Sequence, residues 1–272
     1  MHPRRTTPSR LAALGALLAV LPWAATTTAA HADDATPTAS ARPWHQTRTF
    51  FWMNAMRSNL DRRARATAGS RMRTDVRHMR RARVDLAVLA EVTADQRAAF
   101  RRAAGDGWAL VAGGNAVDNV VVYRRAAFTR VGHESMTTRY NGGARIHVTI
   151  PVLRDDVTGT RVAVIPVHNP QWHAGRWRTV SLRLEVAEVR QLRRAHRDWQ
   201  VVIAGDFNAG GSSACAFTHV GLRSPVVDRR SCDRLHAIDQ MYATPQLRPH
   251  GYRSQHTDAT DHHREYFAQL VL

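Results

Sequence analysis

The sequence predicts a mixed α/β domain rich in strands, arranged as two strand-rich halves with two or three helices. Three observations lead there. Short apolar, β-branched runs recur along the chain, bounded by Gly, Asn, Asp or Pro, as buried strands require. Few segments show the 3.6-residue periodicity of an amphipathic helix. The length of 272 residues, 44% of them hydrophobic, suffices for a full core without a metal or disulfide staple.

The elements follow in order. Residues 47–53 (TRTFFWM) are aromatic and β-branched and read as a strand. Residues 57–83 carry ten arginines and end in a helical-looking stretch. Residues 85–90 (DLAVLA) form a buried strand. Thr93, with Gln96 three residues on, is a capping box for a helix reaching Ala104. Residues 108–112 and 119–123 are strands around a Gly-Gly turn. Residues 147–153 alternate, and the turn at 155–159 leads into 161–167 (RVAVIPV), making a hairpin. Residues 175–197 are the clearest helix, with Leu182, Val186 and Val189 on one face and Arg183, Arg190, Arg194 and Arg197 on another. Residues 201–204 (VVIA) enter a Gly-Asp-Phe-Asn turn, 209–235 read as loop, and 238–243 and 266–272 as late strands.

The N-terminus reads as a secretory signal. Arg4, Arg5 and Arg10 precede a short apolar run over residues 11–25, and Ala30-His31-Ala32 is a small-x-small cleavage site. Cleavage after Ala32 removes three arginines and no acid, taking the net charge from +17 to +14. Residues 33–44 read as a flexible leader and 45–272 as the domain. The leading run is the only long apolar one, which excludes a multi-span membrane protein. In an oxidising compartment Cys215 and Cys232, 17 apart, most simply pair. Two cysteines exclude a disulfide scaffold and a four-cysteine zinc site.

All 39 basic residues are arginine, against 22 acids. The absence of lysine reads as coding bias, so the charge carries the inference. An excess this large suits anionic partners: nucleic acid, lipid headgroups or a polyphosphate. A merely basic soluble surface is the plain alternative.

Polar side chains recur where the apolar runs end. Asn54 follows TFFWM, Glu91 follows DLAVLA, His168 and Asn169 follow RVAVIPV, and Asp206 and Asn208 follow VVIAG. Asp239 opens IDQMYA, and Asp261 and His262 precede the last strand. Strand ends meeting at one sheet edge can assemble a site from distant positions. Asn, Glu and Asp are hard oxygen ligands for Mg²⁺, Mn²⁺ or Ca²⁺. Histidines near them supply acid and base near neutral pH. Together these suggest attack of water on a phosphate ester. Neither HExxH nor HxHxDH occurs, which disfavours a zinc hydrolase.

Six ordered segments carry a family resemblance: Trp52-Met53-Asn54, Leu89-Ala90-Glu91, Val167-His168-Asn169-Pro170, Gly205-Asp206-Phe207-Asn208, Ile238-Asp239 and Thr260-Asp261-His262. From about residue 47 to 272 the chain resembles the endonuclease/exonuclease/phosphatase superfamily of deoxyribonuclease I-like nucleases, abasic-site endonucleases, neutral sphingomyelinases and inositol-polyphosphate phosphatases. The resemblance implies a four-layer α/β sandwich, two packed, mostly antiparallel mixed sheets flanked by helices. It implies a metal site at Asn54, Glu91 and Asp261 for Mg²⁺, or Mn²⁺ or Ca²⁺. It makes His262 and His168 the catalytic histidines, Asp239 the acid orienting His262, and Asp206 the carboxylate orienting the attacking water. Asn208 and Arg145 become phosphate contacts. Ala90 stands where the family more often has Gln, and Asp118 or Asn119 stands where a glutamate would partner His168. His263 reads as a neighbour of the site.

The function expected from this resemblance is a secreted, metal-dependent phosphodiesterase, a monomeric nuclease with no stable protein partner. A phospholipid phosphodiesterase of sphingomyelinase type, acting at anionic phospholipid, and an inositol-phosphate phosphatase are alternatives within the class. A catalytically inactive binding module is the alternative outside it.

Overall fold

The computed structural model describes residues 45–63, 66–113, 118–260, 262 and 264–272, without the side chains of 61–63 and 172. The expected signal and leader, Asp261 and His263 lie outside the described residues. The elements are β1 (Thr47–Asn54), α1 (Ala68–Arg81), β2 (Leu86–Ala90), α2 (Ala94–Ala104), β3 (Trp108–Ala112), β4 (Val120–Arg124), β5 (Phe128–Arg139), β6 (Arg145–Asp155), β7 (Arg161–His168), α3 (Gly175–Ala195), β8 (Trp199–Asp206), α4 (Gly211–His219), β9 (Asp239–Ala243), β10 (His250–His256) and β11 (Arg264–Val271). None of the described helices is long and apolar enough to cross a membrane.

Two mixed sheets form, in the strand orders β10-β11-β1-β2-β4-β3 and β5-β6-β7-β8-β9. Each contains one parallel pair, β1 with β2 and β7 with β8; the other pairings are antiparallel. The two-residue period of a strand sorts the side chains between layers. Phe50, Trp52, Leu86 and Val88 of the first sheet meet Val162, Val164, Val202 and Ala204 of the second in a central core. Phe51, Met53, Ala87 and Leu89 point the other way, onto Met72, Val76 and Met79 of α1 and Phe100 of α2. Ala163, Ile165, Val201 and Ile203 likewise turn to Val189 and Leu192 of α3 and Phe217 of α4. This gives helix, sheet, sheet and helix layers, the expected four-layer sandwich. A buried Arg48–Asp155 pair at 2.7 Å ties β1 to β6 across the sheets.

Besides β10, whose mostly exposed residues carry no apolar run and which the sequence does not announce, two local features differ from the sequence expectation. The stretch 209–235 is not all loop, because it contains α4. That helix, GSSACAFTH, lacks the apolar periodicity that marks helices in sequence, and its support comes from outside it. Cys215 is bonded to Cys232, with the Cα atoms 4.9 Å apart. At Gly211 an added Cβ would lie 2.5 Å from the Asp233 carbonyl oxygen, so only glycine admits that close approach. The second difference is β5. Its alternate residues face solvent, and no apolar run announces it.

Candidate active site

The parallel pairs bring their C-terminal ends to one region. Asn54 ends β1 beside Ala90, with Glu91 one residue further along the neighbouring chain. His168 ends β7 in register with Asp206, the last residue of β8, and Asp206 pairs with Asp239 at the start of β9. One row across the second sheet therefore holds His168, Asp206 and Asp239. The row needs Gly205: a Cβ there would sit 2.1 Å from the Val167 carbonyl oxygen, and its φ is 133°.

The side chains close this region. Asp206 Oδ2 lies 3.9 Å from His168 Nε2 and 3.9 Å from His262 Nε2. The Nδ1 of His262 is 2.7 Å from Asp239 Oδ2, which fixes the ring and turns Nε2 toward Asp206. Glu91 Oε1 is 3.4 Å from His168 Nε2, and its Oε2 accepts a hydrogen bond from the Arg57 backbone N–H at 3.1 Å. Asn54 Nδ2 donates to Asp206 Oδ2 at 3.2 Å, while its Oδ1 accepts from the Met56 N–H at 2.9 Å. Asp206 Oδ1 accepts from the Asn208 N–H at 2.8 Å. The Asn208 amide donates to the Asn169 carbonyl at 2.9 Å, and Asn169 in turn donates to the buried Glu185 of α3 at 3.1 Å. Of the residues expected at the site, Asn54, Glu91, His168, Asp206, Asn208, Asp239 and His262 converge here across a span of 208 positions of sequence; Asp261 lies outside the described residues.

Backbone conformation singles out the same place. Six described non-glycine residues have positive φ, and Met56, Glu91, Asp118 and Asn208 among them belong to this site or its rim. Each left-handed residue costs roughly 1–2 kcal/mol, and such strain concentrates where geometry serves function. At Glu91 (φ 60°) it swings the carboxylate off the end of β2.

Burial lifts the Asp206 pKa to about 6; the charge of Asp239 adds to this, and His168, His262 and the Asn208 N–H oppose it. Two carboxylates this close and this buried repel unless a proton or a cation lies between them. Ligand atoms of Asp206, Asp239 and His262 fall within 4.8 Å of one another, and the Glu91 carboxylate approaches the same Nε2 of His168 that faces Asp206. The donor set is oxygen-rich with one imidazole, which fits a hard or borderline divalent cation.

The remaining expected residues stand apart from this cluster or on its edge. Arg145 opens β6 and is exposed. Asp118 pairs with Arg57 at 3.4 Å and Arg97 at 3.5 Å. One site residue escapes sequence reasoning. Tyr140 places its hydroxyl 3.5 Å from His168 Nε2. Burial and the acids Glu91, Asp206 and Asp118 push its pKa up to about 12 against the pull of Arg57, so it remains a neutral phenol. Arg57, through its amide, fixes Glu91. Tyr140 obeys the same strand-end rule as the others, and only the unreadable β5 conceals it.

A sequence model of the Endonuclease/Exonuclease/phosphatase family matches residues 64–262. No curated protein matches the chain in sequence. Among solved structures, an endonuclease/exonuclease/phosphatase family protein of Bacteroides thetaiotaomicron superposes with a TM-score of 0.69 at 15% identity, covering 84% of this chain and 98% of that one. A mannosyl-6-phosphatase of the same organism gives 0.66 at 16% identity, covering 83% and 100%. Truncated TDP2 of Caenorhabditis elegans gives 0.61 at 13% identity, covering 83% and 98%. All three share this fold.

Proposed function

Because the chain belongs to the endonuclease/exonuclease/phosphatase family, its chemistry is phosphoester hydrolysis, and we propose that it is a secreted, divalent-metal-dependent phosphodiesterase that cuts nucleic acid. The observation that carries the catalytic part is the pair of imidazoles on either side of Asp206, each with Nε2 at 3.9 Å. One histidine can take the proton of an attacking water and the other deliver a proton to the leaving oxygen. Asp239 holds His262 in the tautomer with Nδ1 protonated and stabilises the imidazolium when it forms, the role of the acid in a triad. Asp206, kept at hydrogen-bonding distance from Asn54 and Asn208, orients the water. Tyr140 and Glu91 both approach Nε2 of His168.

Glu91, Asp206, Asp239 and Asn54 would hold the cation, with Asp261 as a further carboxylate; Mg²⁺ suits such a set, with Mn²⁺ or Ca²⁺ as substitutes. When bound, the cation supplies charge neutralisation at the phosphoryl oxygens. Asn208 and Arg145 are assigned to the phosphate. The disulfide is compatible with an oxidising compartment, in line with the signal-like residues 1–32.

Nucleic acid is favoured by charge, since one phosphodiester needs far fewer cations than this surface carries. The decisive experiment is an activity panel on residues 33–272 with DNA, RNA, sphingomyelin vesicles and inositol phosphates, each with Mg²⁺, Mn²⁺ or EDTA. Metal-dependent cleavage of DNA or RNA, falling steeply with salt as counterion release demands, supports the proposal. Turnover confined to vesicles or inositol phosphates overturns the nuclease assignment and keeps the hydrolase.

A further inference from the structure

A second cationic site lies at the opposite end of the first sheet. β2 starts at Leu86, and Glu91 follows its far end. Trp108 of β3 and Arg124 of β4 are cross-strand partners next to that start, because the Arg124 N–H donates to the Asp85 carbonyl. Six residues at about 3.3 Å each put them roughly 20 Å from Glu91. A cavity of about 410 Å³ opens there, lined by Arg80, Arg83, Arg124, Trp108, Met79 and Val84. No carboxylate lines it. Asp85, beside it, is 3.8 Å from Arg124 Nη1 and turns its other oxygen to the Thr49 N–H.

The three guanidiniums are only lightly engaged by the protein. Arg80 gives one hydrogen bond, to the Ala104 carbonyl at the end of α2. Arg124 has the long Asp85 contact alone, and Arg83 makes no side-chain hydrogen bond or ion pair among the described residues. Arg83 also holds a φ of 53°, just past the end of α1, where glycine is the ordinary residue. An arginine kept there despite backbone strain is a feature with a use to be sought. Beyond Trp108 a second cavity of about 360 Å³ carries Arg101, Arg125 and Arg130. The indole is thus a wall shared by two arginine-lined hollows.

We propose that the Arg80–Arg83–Arg124 cavity binds a nucleoside phosphate, its phosphate on the guanidiniums and its base against Trp108. Three cations without a lining acid call for a multiply charged anion. Met79 and Val84 are buried behind the wall, and the partly buried indole of Trp108, which has no role toward a bare phosphate, suits a flat base, which stacks on an indole whatever its identity. The volume falls near the lower end of the roughly 300–1,000 Å³ typical of small-molecule sites. The ligand has two sources, a free mononucleotide or one residue of a nucleic acid strand. The site is independent of catalysis, so it stands or falls apart from the function proposed above.

The test is binding to the 33–272 protein in EDTA, with inorganic phosphate, AMP and fluorescein-labelled dT12 as probes. The R83A/R124A pair and W108L remove the two halves of the site, and W108F restores a ring. An R183A/R190A/R194A triple on the exposed face of α3 removes more charge elsewhere. Melting curves accompany each variant, and the exposed single variants R83A and R124A serve if W108L does not fold. The expected result is at least tenfold weaker binding of AMP or dT12 by R83A/R124A and W108L. W108F should recover most of it, and the α3 triple should stay within threefold of wild type. Binding of AMP assigns the site to free nucleotides; binding of dT12 with AMP inert assigns it to a strand. Equal binding of phosphate and AMP, or an α3 triple as damaging as the pocket pair, overturns the proposal. Turnover of a small chromogenic phosphodiester should be unchanged in R83A/R124A.

Discussion

Glu185 permits a prediction whose size follows from its burial. The carboxyl on α3 is 1% exposed and accepts a hydrogen bond from Asn169. Burial raises its pKa from 4.5 to about 8, with the Asn169 bond opposing. The folded protein therefore keeps a proton that the unfolded chain releases between those values. Stability from this group is complete below pH 4.5 and falls as pH rises, with the full loss reached above about pH 8. The difference between the two values sets a ceiling near 5 kcal/mol, of which about 3 kcal/mol is gone by pH 7. Glu185→Gln keeps an acceptor for Asn169 and cannot ionise. Urea denaturation in EDTA should find the variant close to wild type at pH 4.5 and more stable by about 3 kcal/mol at pH 7. The gap should widen toward pH 8.5. Parallel stability curves for the two proteins between pH 5 and 8.5 would refute the reasoning. Because Asn169 remains held, and with it Asn208, the Gln variant should keep turnover within a few-fold. Glu185→Leu strands the Asn169 amide, at about 1–3 kcal/mol, and should lose stability and turnover together.

Three more outcomes are expected. His262→Ala should lower turnover of any accepted phosphodiester by about 10² to 10⁴, and Asp239→Asn by a similar factor through loss of the tautomer lock; His263→Ala should change it little, and the reverse ranking of the two histidines would reassign the site. Glu91→Ala should raise the metal concentration for half-maximal activity by tenfold or more, since even residues behind metal ligands are worth that much; an unchanged metal titration curve argues against a ligand role. Cys215→Ser with Cys232→Ser should lower stability by about 3 kcal/mol through freed unfolded-state entropy, read as a lower urea midpoint, and mass spectrometry of wild type should show one disulfide.

What the sequence discloses depends on how each element earns its burial. Asn54, Glu91, His168 and Asp206 are visible because buried strands read as unbroken apolar runs, so the first polar residue after each run stands out; Asp239 is visible as the acid at the opening of a strand. Their convergence is a property of parallel pairing and cannot be read from any one segment. Tyr140 is hidden because β5 lies at a sheet edge with alternate residues in solvent, so its end has no contrast. Arg71 is hidden for the opposite reason. Within a stretch that reads as a basic face it is 1% exposed, and its guanidinium binds the carbonyls of Met56, Arg57 and Ala66. It works as a brace for the backbone beside Glu91. Arg62, Arg63 and Arg65 of the same stretch have no described side chains. Helix α4 is invisible because Ala214 and Phe217 alone of its residues pack fully in the core, too few to draw an apolar stripe, and a disulfide and a close glycine contact supplement them.

The pairing of β1 with β11 has a consequence for engineering. Gln46 and Leu272 exchange both backbone hydrogen bonds, at 2.9 and 2.8 Å, so the polypeptide path of the domain nearly bites its own tail. A short linker could join those positions, and new termini could open at the exposed β6–β7 turn, where Asp156 and Val157 face solvent. Such a circular permutant would keep every strand neighbour. The seam also lies at the start of β1, eight residues from Asn54, or about 26 Å along an extended strand. Whatever is fused ahead of residue 45 therefore departs from the end of the sheet remote from His262, and a reporter or surface tether attached there leaves the candidate site unobstructed.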